Sequence, residues 1–254
     1  DISAHYFKKC GELGWHCIFP DFRGPNRNPE ACGSRKALGN LQDAVQWAAE
    51  NLSVDHRRIF LVGESGGGYM ALLAAGKLPS LWTAVSVWAS ITDLARWRNE
   101  CVARGLSYSA DIEAVCGGVP GASPEVDVQY RERSPIHSMW RANIVPVDIN
   151  AGVHDGHGGS FGGAGPVPVG HSIRAFNELV IASDRKNSVI PENVIEFIER
   201  EEKIPEGMER GITQDSFYGR QIHLRRESSL ARLTLFEGGH EMLYGAAFAW
   251  FERF

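Results

Sequence analysis

A serine between glycines is the feature of this sequence with the clearest chemical meaning. Residues 63–67 read GESGG, which fits the pattern G-x-S-x-G with Ser65 at its centre. An apolar run at 59–62 precedes it and an apolar helical pattern follows, so we expect a tight turn from a strand into a helix. Such a turn exposes the serine hydroxyl at a helix N-terminus, where the backbone N–H of Gly66 is free to stabilise an oxyanion. Ser65 is therefore the predicted nucleophile, and Gly66 the predicted oxyanion-hole donor.

A phosphate-binding loop is the alternative interpretation of this turn. A P-loop needs Gly-Lys-Ser/Thr, and a dinucleotide site needs G-x-G-x-x-G with an acidic residue about 20 positions further on. The residue at the position for the lysine is Tyr69, and neither pattern is present. We expect no cofactor.

Two residues further along the chain supply the partners that a serine nucleophile needs. An imidazole must take the hydroxyl proton, and a carboxylate must hold that imidazole in the right tautomer. Asp155 follows an apolar run at 144–153. His240 follows another run at 231–236, in a loop with two glycines. Parallel strands present their carboxyl ends at one edge of a sheet, where α/β proteins place their active sites. Asp155 is the predicted acid and His240 the predicted base.

Each assignment has a competitor. Asp93 follows the apolar run at 84–88 and is the alternative acid. His154, Asp155 and His157 together raise the alternative of a metal site, but four-coordinate zinc needs further ligands at a separate position. We therefore assign no metal.

Two carboxylates adjoin the predicted catalytic residues: Glu64 precedes Ser65, and Glu241 follows His240. They either tune the local electric field or are solvated, hydrogen-bonded side chains, and the sequence leaves both readings open.

The elements that must position these residues alternate between strand and helix. A helix is predicted between the first two strands, because apolar residues recur at helical spacing from Leu41 to Leu52. Such alternation predicts an α/β fold with a mostly parallel sheet. The apolar, β-rich runs expected as strands are 15–20, 59–62, 84–88, 144–153 and 231–236.

Two stretches interrupt this alternation. Residues 93–140 carry aromatic and charged residues among Pro and Gly turns, and they form a candidate lid over one face. Residues 184–225 are rich in Glu, Lys, Arg and Pro, and they are predicted as a second insertion of short helices and loops before the last strand. The glycine-dense piece 156–165 is predicted as a loop. Without an internal repeat or linker, 1–254 is predicted to be one catalytic domain.

Composition narrows the possible partners. Hydrophobic residues make up 43% and charged residues 22% of the 254 positions, as in ordinary globular proteins. The net charge of -5 offers no basic surface for nucleic acid. The sequence contains no run of about 18 apolar residues, so no membrane span is predicted.

The five cysteines form no C-x-x-C pair, and we expect buried, reduced thiols. The first residue is Asp1 rather than Met, so the sequence does not predict a cellular compartment.

These motifs together resemble the catalytic domain of the prolyl oligopeptidase family, within the α/β-hydrolases, over most of the chain. The resemblance implies the α/β-hydrolase fold, with helices on both faces of the sheet. It also supports Asp155 over Asp93, because the family begins a helix just after the acid loop. The matching pieces are PDFRG at 20–24, LGNLQDAVQWA at 38–48, VGESGGGYMALLAA at 62–75, YRERSPI at 130–136, VDINAGVHDG at 147–156, VPVGHSIRAFNEL at 167–179 and GGH at 238–240.

Three departures from the family pattern accompany the resemblance. The family's His-Gly-Gly motif, which supplies a second oxyanion donor, would lie before a helix at 2–13, so we expect the N-terminal strands to be missing. We expect no β-propeller within residues 1–254. Asp155 and His240 are separated by more residues than the family usually shows. The last two departures favour a smaller, esterase-like member.

Three functions follow as hypotheses. The main one is hydrolysis of a carboxylic ester of a small molecule through an acyl-enzyme. The alternative is an oligopeptidase or aminopeptidase that uses the same triad on peptides. A hypothesis of another class is a catalytically impaired binding protein on the same fold, since fold does not fix function.

Overall fold

Four of the five predicted strands, together with one that was not predicted, form one mixed sheet. The structure, a computed structural model, describes residues 2–158, 165–208 and 214–254. The strands of these residues are β1 (Phe60–Glu64), β2 (Ala84–Trp88), β3 (Val147–Gly152), β4 (Ile222–Ser228) and β5 (Ala231–Phe236). They lie in the order β1-β2-β3-β5-β4. Neighbouring strands are parallel except β4 and β5, which are antiparallel. The predicted α/β fold with a mostly parallel sheet is confirmed.

Helices fill the connections between the strands. The predicted crossover helix is α2, which begins where the Ser34 hydroxyl accepts the N–H of Ala37 at 3.0 Å and ends at Asn51. The α-helices of the described residues are α1 (Ile2–Leu13), α2 (Arg35–Asn51), α3 (Gly66–Lys77), α4 (Leu94–Ala103), α5 (Tyr108–Cys116), α6 (Pro124–Arg133), α7 (Gly170–Ala182), α8 (Glu192–Glu201) and α9 (Tyr244–Phe251). Short 3-10 helices lie at Pro79–Leu81, Pro135–His137, Met139–Ile144 and Lys186–Ser188.

Both faces of the sheet are covered, because successive strand residues point to opposite sides. On β2, Val85 and Val87 pack into a large apolar cluster with α2, α3, α7 and α8. Ala84 and Trp88 point the other way, into clusters that include residues of α1 and α9. The sheet is thereby fixed between two helical layers, and the carboxyl ends of its parallel strands share one edge.

The strand predicted at 15–20 is not formed. These residues have no regular secondary structure, and the N–H of Trp15 donates to the carbonyl of Cys10 at 2.8 Å. Trp15 and Cys17 pack partly buried against the cluster of α1 and α9, whereas Phe19 is exposed. The run is apolar because it covers this cluster, and no strand among the described residues offers it a hydrogen-bonding partner.

The predicted second insertion ends in a strand that was not predicted. β4 begins at Ile222, inside the predicted insertion 184–225, and pairs antiparallel with β5. Charged residues hid it: Arg225 is buried, and its guanidinium donates to Asp215 at 2.9 Å. Before β4 the insertion contains α8 and loops; residues 209–213 lie outside the described part.

The candidate lid 93–140 is helical in the structure. It contains α4, α5 and α6, which contact one another. The Arg98 guanidinium on α4 donates to Glu113 on α5 at 2.7 Å, and the ring centroids of Trp97 and Tyr108 lie 5.1 Å apart with their planes tilted by 32°. This segment is therefore an ordered helical layer.

The cysteines are free thiols, as expected, and four of the five are buried. Across the described ranges, no helix combines the length and the apolar character needed to cross a membrane.

Candidate active site

Ser65 occupies a strained turn between β1 and α3. Its backbone lies at φ 55° and ψ −120°, a region that residues other than glycine rarely adopt. The glycines around it let strand and helix approach each other: a Cβ on Gly63 would lie 2.2 Å from the Gly67 carbonyl oxygen, and one on Gly68 would lie 2.7 Å from that of Trp88. The pattern G-x-S-x-G thus forms the strand-turn-helix that its spacing predicts.

Backbone hydrogen bonds hold this turn in place. The Ser65 N–H donates to the Trp88 carbonyl at the end of β2, at 2.9 Å, and the Ser65 carbonyl accepts the Tyr69 N–H at 2.8 Å. Gly66 is the first residue of α3, so its N–H belongs to the helix terminus, where amides have no acceptor within the helix. The predicted oxyanion donor therefore lies at the positive end of the α3 dipole.

Asp155 lies in the turn that follows β3, and it is 1% exposed. Its Oδ1 accepts the backbone N–H of Val167 at 3.2 Å. Its Oδ2 accepts a hydrogen bond from His240 Nδ1 at 2.9 Å. The structure thus brings together the predicted acid and the predicted base, which are 85 residues apart in the chain.

The loops that carry these two residues are joined through their backbones. The N–H of His154 donates to the carbonyl of Gly238 at 3.0 Å. A Cβ on Gly152 would lie 2.3 Å from that same carbonyl oxygen, so glycine is needed for this approach. The loops after β3 and β5, neighbours in the sheet, therefore hold His240 against the acid.

The electrostatics of His240 suit a general base. Burial opposes the charged imidazolium, but the hydrogen bond and charge of Asp155, together with the charge of Glu64, outweigh burial and raise the pKa of His240 above its ordinary value. With Nδ1–H donated to Asp155, the lone pair of a neutral ring is on Nε2, where a hydroxyl proton would be accepted. A hydrogen bond from the Ser65 hydroxyl to this nitrogen stays a prediction.

Glu64 contributes to the field at the site. Burial raises the pKa of Glu64, as do the nearby charges of Glu241 and Asp155. Glu241 in turn pairs with Arg220 at 2.6 Å. Of the two carboxylates that adjoin the predicted catalytic residues, Glu64 is thus the one whose charge raises the pKa of His240.

Asp93, the alternative acid, has different hydrogen-bond partners. The Asp93 carboxylate accepts the backbone N–H groups of Ala95 at 2.9 Å and Arg96 at 3.2 Å, which caps the N-terminus of α4. Asp93 is thus engaged in holding a helix end.

The histidines considered for a metal have carboxylate partners instead. His154 bonds to Glu202 at 2.8 Å and to Glu237 at 2.9 Å, and His157 lies 3.6 Å from Glu202. Within the described ranges, no group of three or more His, Cys, Asp or Glu residues is arranged to hold a metal ion.

Two residues at the site carried no motif that singled them out. Gly165 has φ +49°, and a Cβ on it would lie 2.0 Å from the His240 Cβ and 2.6 Å from Asp155 Oδ1. Arg104, at the end of α4, donates to the loop after Asp155. The glycine-dense run 156–165 was the available signal for the first; residues 159–164 within it lie outside the described part.

A nucleophile at a helix N-terminus, with a His–Asp pair at the same sheet edge, can carry out acyl transfer. Comparisons with known proteins agree with this chemistry: a model of the prolyl oligopeptidase family matches residues 34–142, a segment that contains Ser65.

Solved structures that are similar to this chain include three peptidases. An acylaminoacyl peptidase in complex with Z-Gly-Gly-Phe-chloromethyl ketone is 17% identical over 59% of this chain and 21% of its own, with a TM-score of 0.42. A puromycin-hydrolyzing peptidase of Mycobacterium tuberculosis is 24% identical over 59% and 19%, with a TM-score of 0.42. The uncomplexed acylaminoacyl peptidase of Pyrococcus horikoshii is 17% identical over 69% and 29%, with a TM-score of 0.43.

The matched part is thus less than a third of each of those chains. The family model covers β1, the turn at Ser65, α3 and the helices α4 to α6. Over residues 34–142 this chain therefore matches the prolyl oligopeptidase family, and the resemblance predicted from its motifs is confirmed.

Proposed function

We propose that this protein is a serine hydrolase that works through an acyl-enzyme. In this proposal Ser65 is the nucleophile, His240 the base and Asp155 the acid that orients it, while Gly66 N–H is one oxyanion donor. The observation that carries the proposal is the 2.9 Å hydrogen bond from His240 Nδ1 to the buried Asp155, at the sheet edge where the strained Ser65 turn also lies.

The proposed reaction has two halves. Ser65 Oγ attacks a carbonyl carbon while its proton passes to His240 Nε2, and the carbonyl oxygen becomes an oxyanion that accepts the Gly66 N–H. Collapse of this intermediate breaks the bond to the leaving group, which takes the proton from His240. Water then attacks the acyl-serine and gives its proton to His240. The oxyanion collapses and releases the acid, while His240 returns the proton to Ser65 Oγ, which restores the hydroxyl.

The match to the prolyl oligopeptidase family favours a peptide over an ester as the substrate. This reverses the order of the two hydrolase hypotheses: peptidase becomes the main proposal, and ester hydrolysis becomes an outcome of the test. The same acyl-enzyme serves both leaving groups, since an amine and an alkoxide each take their proton from the imidazolium.

A fluorophosphonate probe with peptide mapping tests the proposal. We expect adduct formation at Ser65, none in Ser65→Ala, and normal labelling in Ser183→Ala, which removes a serine outside the site. Turnover of an aminoacyl p-nitroanilide would support the peptidase, and turnover of p-nitrophenyl acetate alone would support the esterase. An unlabelled protein that retains cooperative thermal unfolding would overturn the proposed triad and favour a binding role.

A further inference from the structure

Arg104 links the candidate lid to the loop of the proposed catalytic acid. It follows α4, and its guanidinium Nη1 donates to the Gly156 carbonyl at 2.5 Å. Nη2 donates to the Pro166 carbonyl at 2.7 Å, and Nε donates to the Glu100 carbonyl at 3.2 Å. The acceptors of these three hydrogen bonds are all backbone carbonyl oxygens.

Both distant carbonyls adjoin residues that hold Asp155. Gly156 follows Asp155 directly in the chain. Pro166 precedes Val167, whose N–H donates to Asp155 Oδ1 at 3.2 Å. A planar guanidinium can bond two acceptors at once with fixed geometry, so Arg104 sets the spacing between the two ends of this loop.

The two ends of the loop after Asp155 also lie close to His240, the proposed base. The N–H of Gly158 donates to the Gly165 carbonyl at 2.9 Å, which closes the neck of the loop. Gly165 lies against the His240 Cβ and the Asp155 carboxylate. A change in the spacing of the neck would therefore reach both members of the His–Asp pair.

Side-chain packing does not fill the space beside this neck. A cavity of about 250 Å³ lies there, and Arg104 lines it together with Asp155, Gly156 and Pro168. Val153 and Val167, at the two ends of this loop, are packed in the apolar core, and the hydrogen bonds of Arg104 add a restraint on Gly156 and Pro166, which lie between them in the chain.

We propose that Arg104 is a positioning residue, which fixes the acid loop so that Asp155 holds His240 in the catalytic orientation. The inference rests on the proposed function. It makes α4, the first helix of the candidate lid, a determinant of turnover although it supplies no group to the reaction.

Arg104→Met removes the guanidinium and keeps a long side chain, and Arg104→Lys keeps the charge without the planar fork. We expect Met to lower kcat by about tenfold to a hundredfold with KM changed less than about twofold, because misplaced catalytic groups cost rate rather than binding. Lys should be intermediate. Arg96→Met is the matched control, since Arg96 is on α4, which Arg104 follows, but pairs with Glu192 instead of the acid loop.

Proton NMR provides a readout that does not depend on turnover. The His240 Nδ1 proton, held by Asp155, should give a downfield signal that is lost with Asp155→Asn. We expect Arg104→Met to shift or broaden it, and Arg96→Met to leave it unchanged. An unaltered signal and unaltered kcat in Arg104→Met would overturn the proposal. Failure of the wild-type protein to label at Ser65 would instead overturn the proposed function.

Discussion

Gly165 lies directly against His240: a Cβ added to it would be 2.0 Å from the His240 Cβ, and its φ of +49° is one that other residues adopt at a cost. Gly165→Ala should therefore displace the imidazole from Asp155. We expect a loss of kcat of about a hundredfold in peptide or ester turnover, whichever the wild-type protein performs.

The control for this change is Gly14→Ala. Gly14 has φ +68° with no atom within 4 Å of an added Cβ, so alanine there carries the backbone strain without the clash. Both variants should lose about 1–3 kcal/mol of unfolding free energy through strain, measured by urea denaturation. Equal activity losses in the two variants would contradict a specific role for Gly165.

Substitution distinguishes the two candidate acids. Asp155→Asn should lower kcat by about 10⁴-fold, because the amide no longer accepts the Nδ1 proton and favours the wrong tautomer of His240. Asp93→Asn should leave kcat near the wild-type value and cost at most about 1 kcal/mol of stability, through a weakened cap of α4. Steady-state kinetics and thermal unfolding of both proteins check this. A larger kinetic loss in Asp93→Asn would reverse the assignment.

The pH dependence of kcat/KM reports the charges around His240. The neutral imidazole is the base, so activity should rise with pH through a pKa that is raised above its ordinary value. Asp155 and Glu64 are the carboxylates whose charges raise it. Glu64→Gln removes one of them and should shift the acid limb to lower pH.

Glu132→Gln is the control, because it removes an equal charge that pairs with Lys77. A limb that shifts to the same extent in both variants would reflect net charge rather than the local field of Glu64.

His154 should make stability depend on pH. Burial opposes its charged form, but the hydrogen bonds and charges of Glu237 and Glu202 outweigh burial, and the pKa of His154 is raised. The stabilisation is therefore fully present below the ordinary pKa of histidine, about 6.5, and is lost as pH rises through the folded-state value. His154→Gln should lower Tm more at pH 6 than at pH 8.5.

A substitution of the exposed His56 with Gln serves as the comparison for His154. It should change Tm little at either pH. A Tm difference for His154→Gln that grows as pH rises would have the wrong sign for this linkage.

Local patterns predicted the central strands and the residues proposed for catalysis. Short stretches of sequence were sufficient for this: the glycines around Ser65 predict a tight turn, and Asp155 and His240 each follow an apolar run. β4 was not predicted because its charged residues do not look like those of a buried strand: Arg225 is buried, and its guanidinium donates to Asp215 and Thr234.

Long-range contacts explain the remaining differences between the structure and what the sequence predicted. Residues 15–20 look like a strand by composition, but a strand also needs a neighbour, which composition does not reveal. Arg104 is one of many arginines in the sequence, and its position becomes meaningful only when α4 meets the loop after β3. Gly165 likewise depends on the approach of the His240 loop.

The pairing of β5 with β3 also sets the order in which reactivity can appear during folding. The turn at Ser65 forms between β1 and α3, which are adjacent in the chain, whereas His240 reaches Asp155 across 85 residues and only after β5 lies between β3 and β4. Contacts at such separation form late, because the loop-closure entropy must first be overcome. A partly folded chain would thus carry an ordinary serine hydroxyl, and Ser65 would become the proposed nucleophile only once the sheet is assembled.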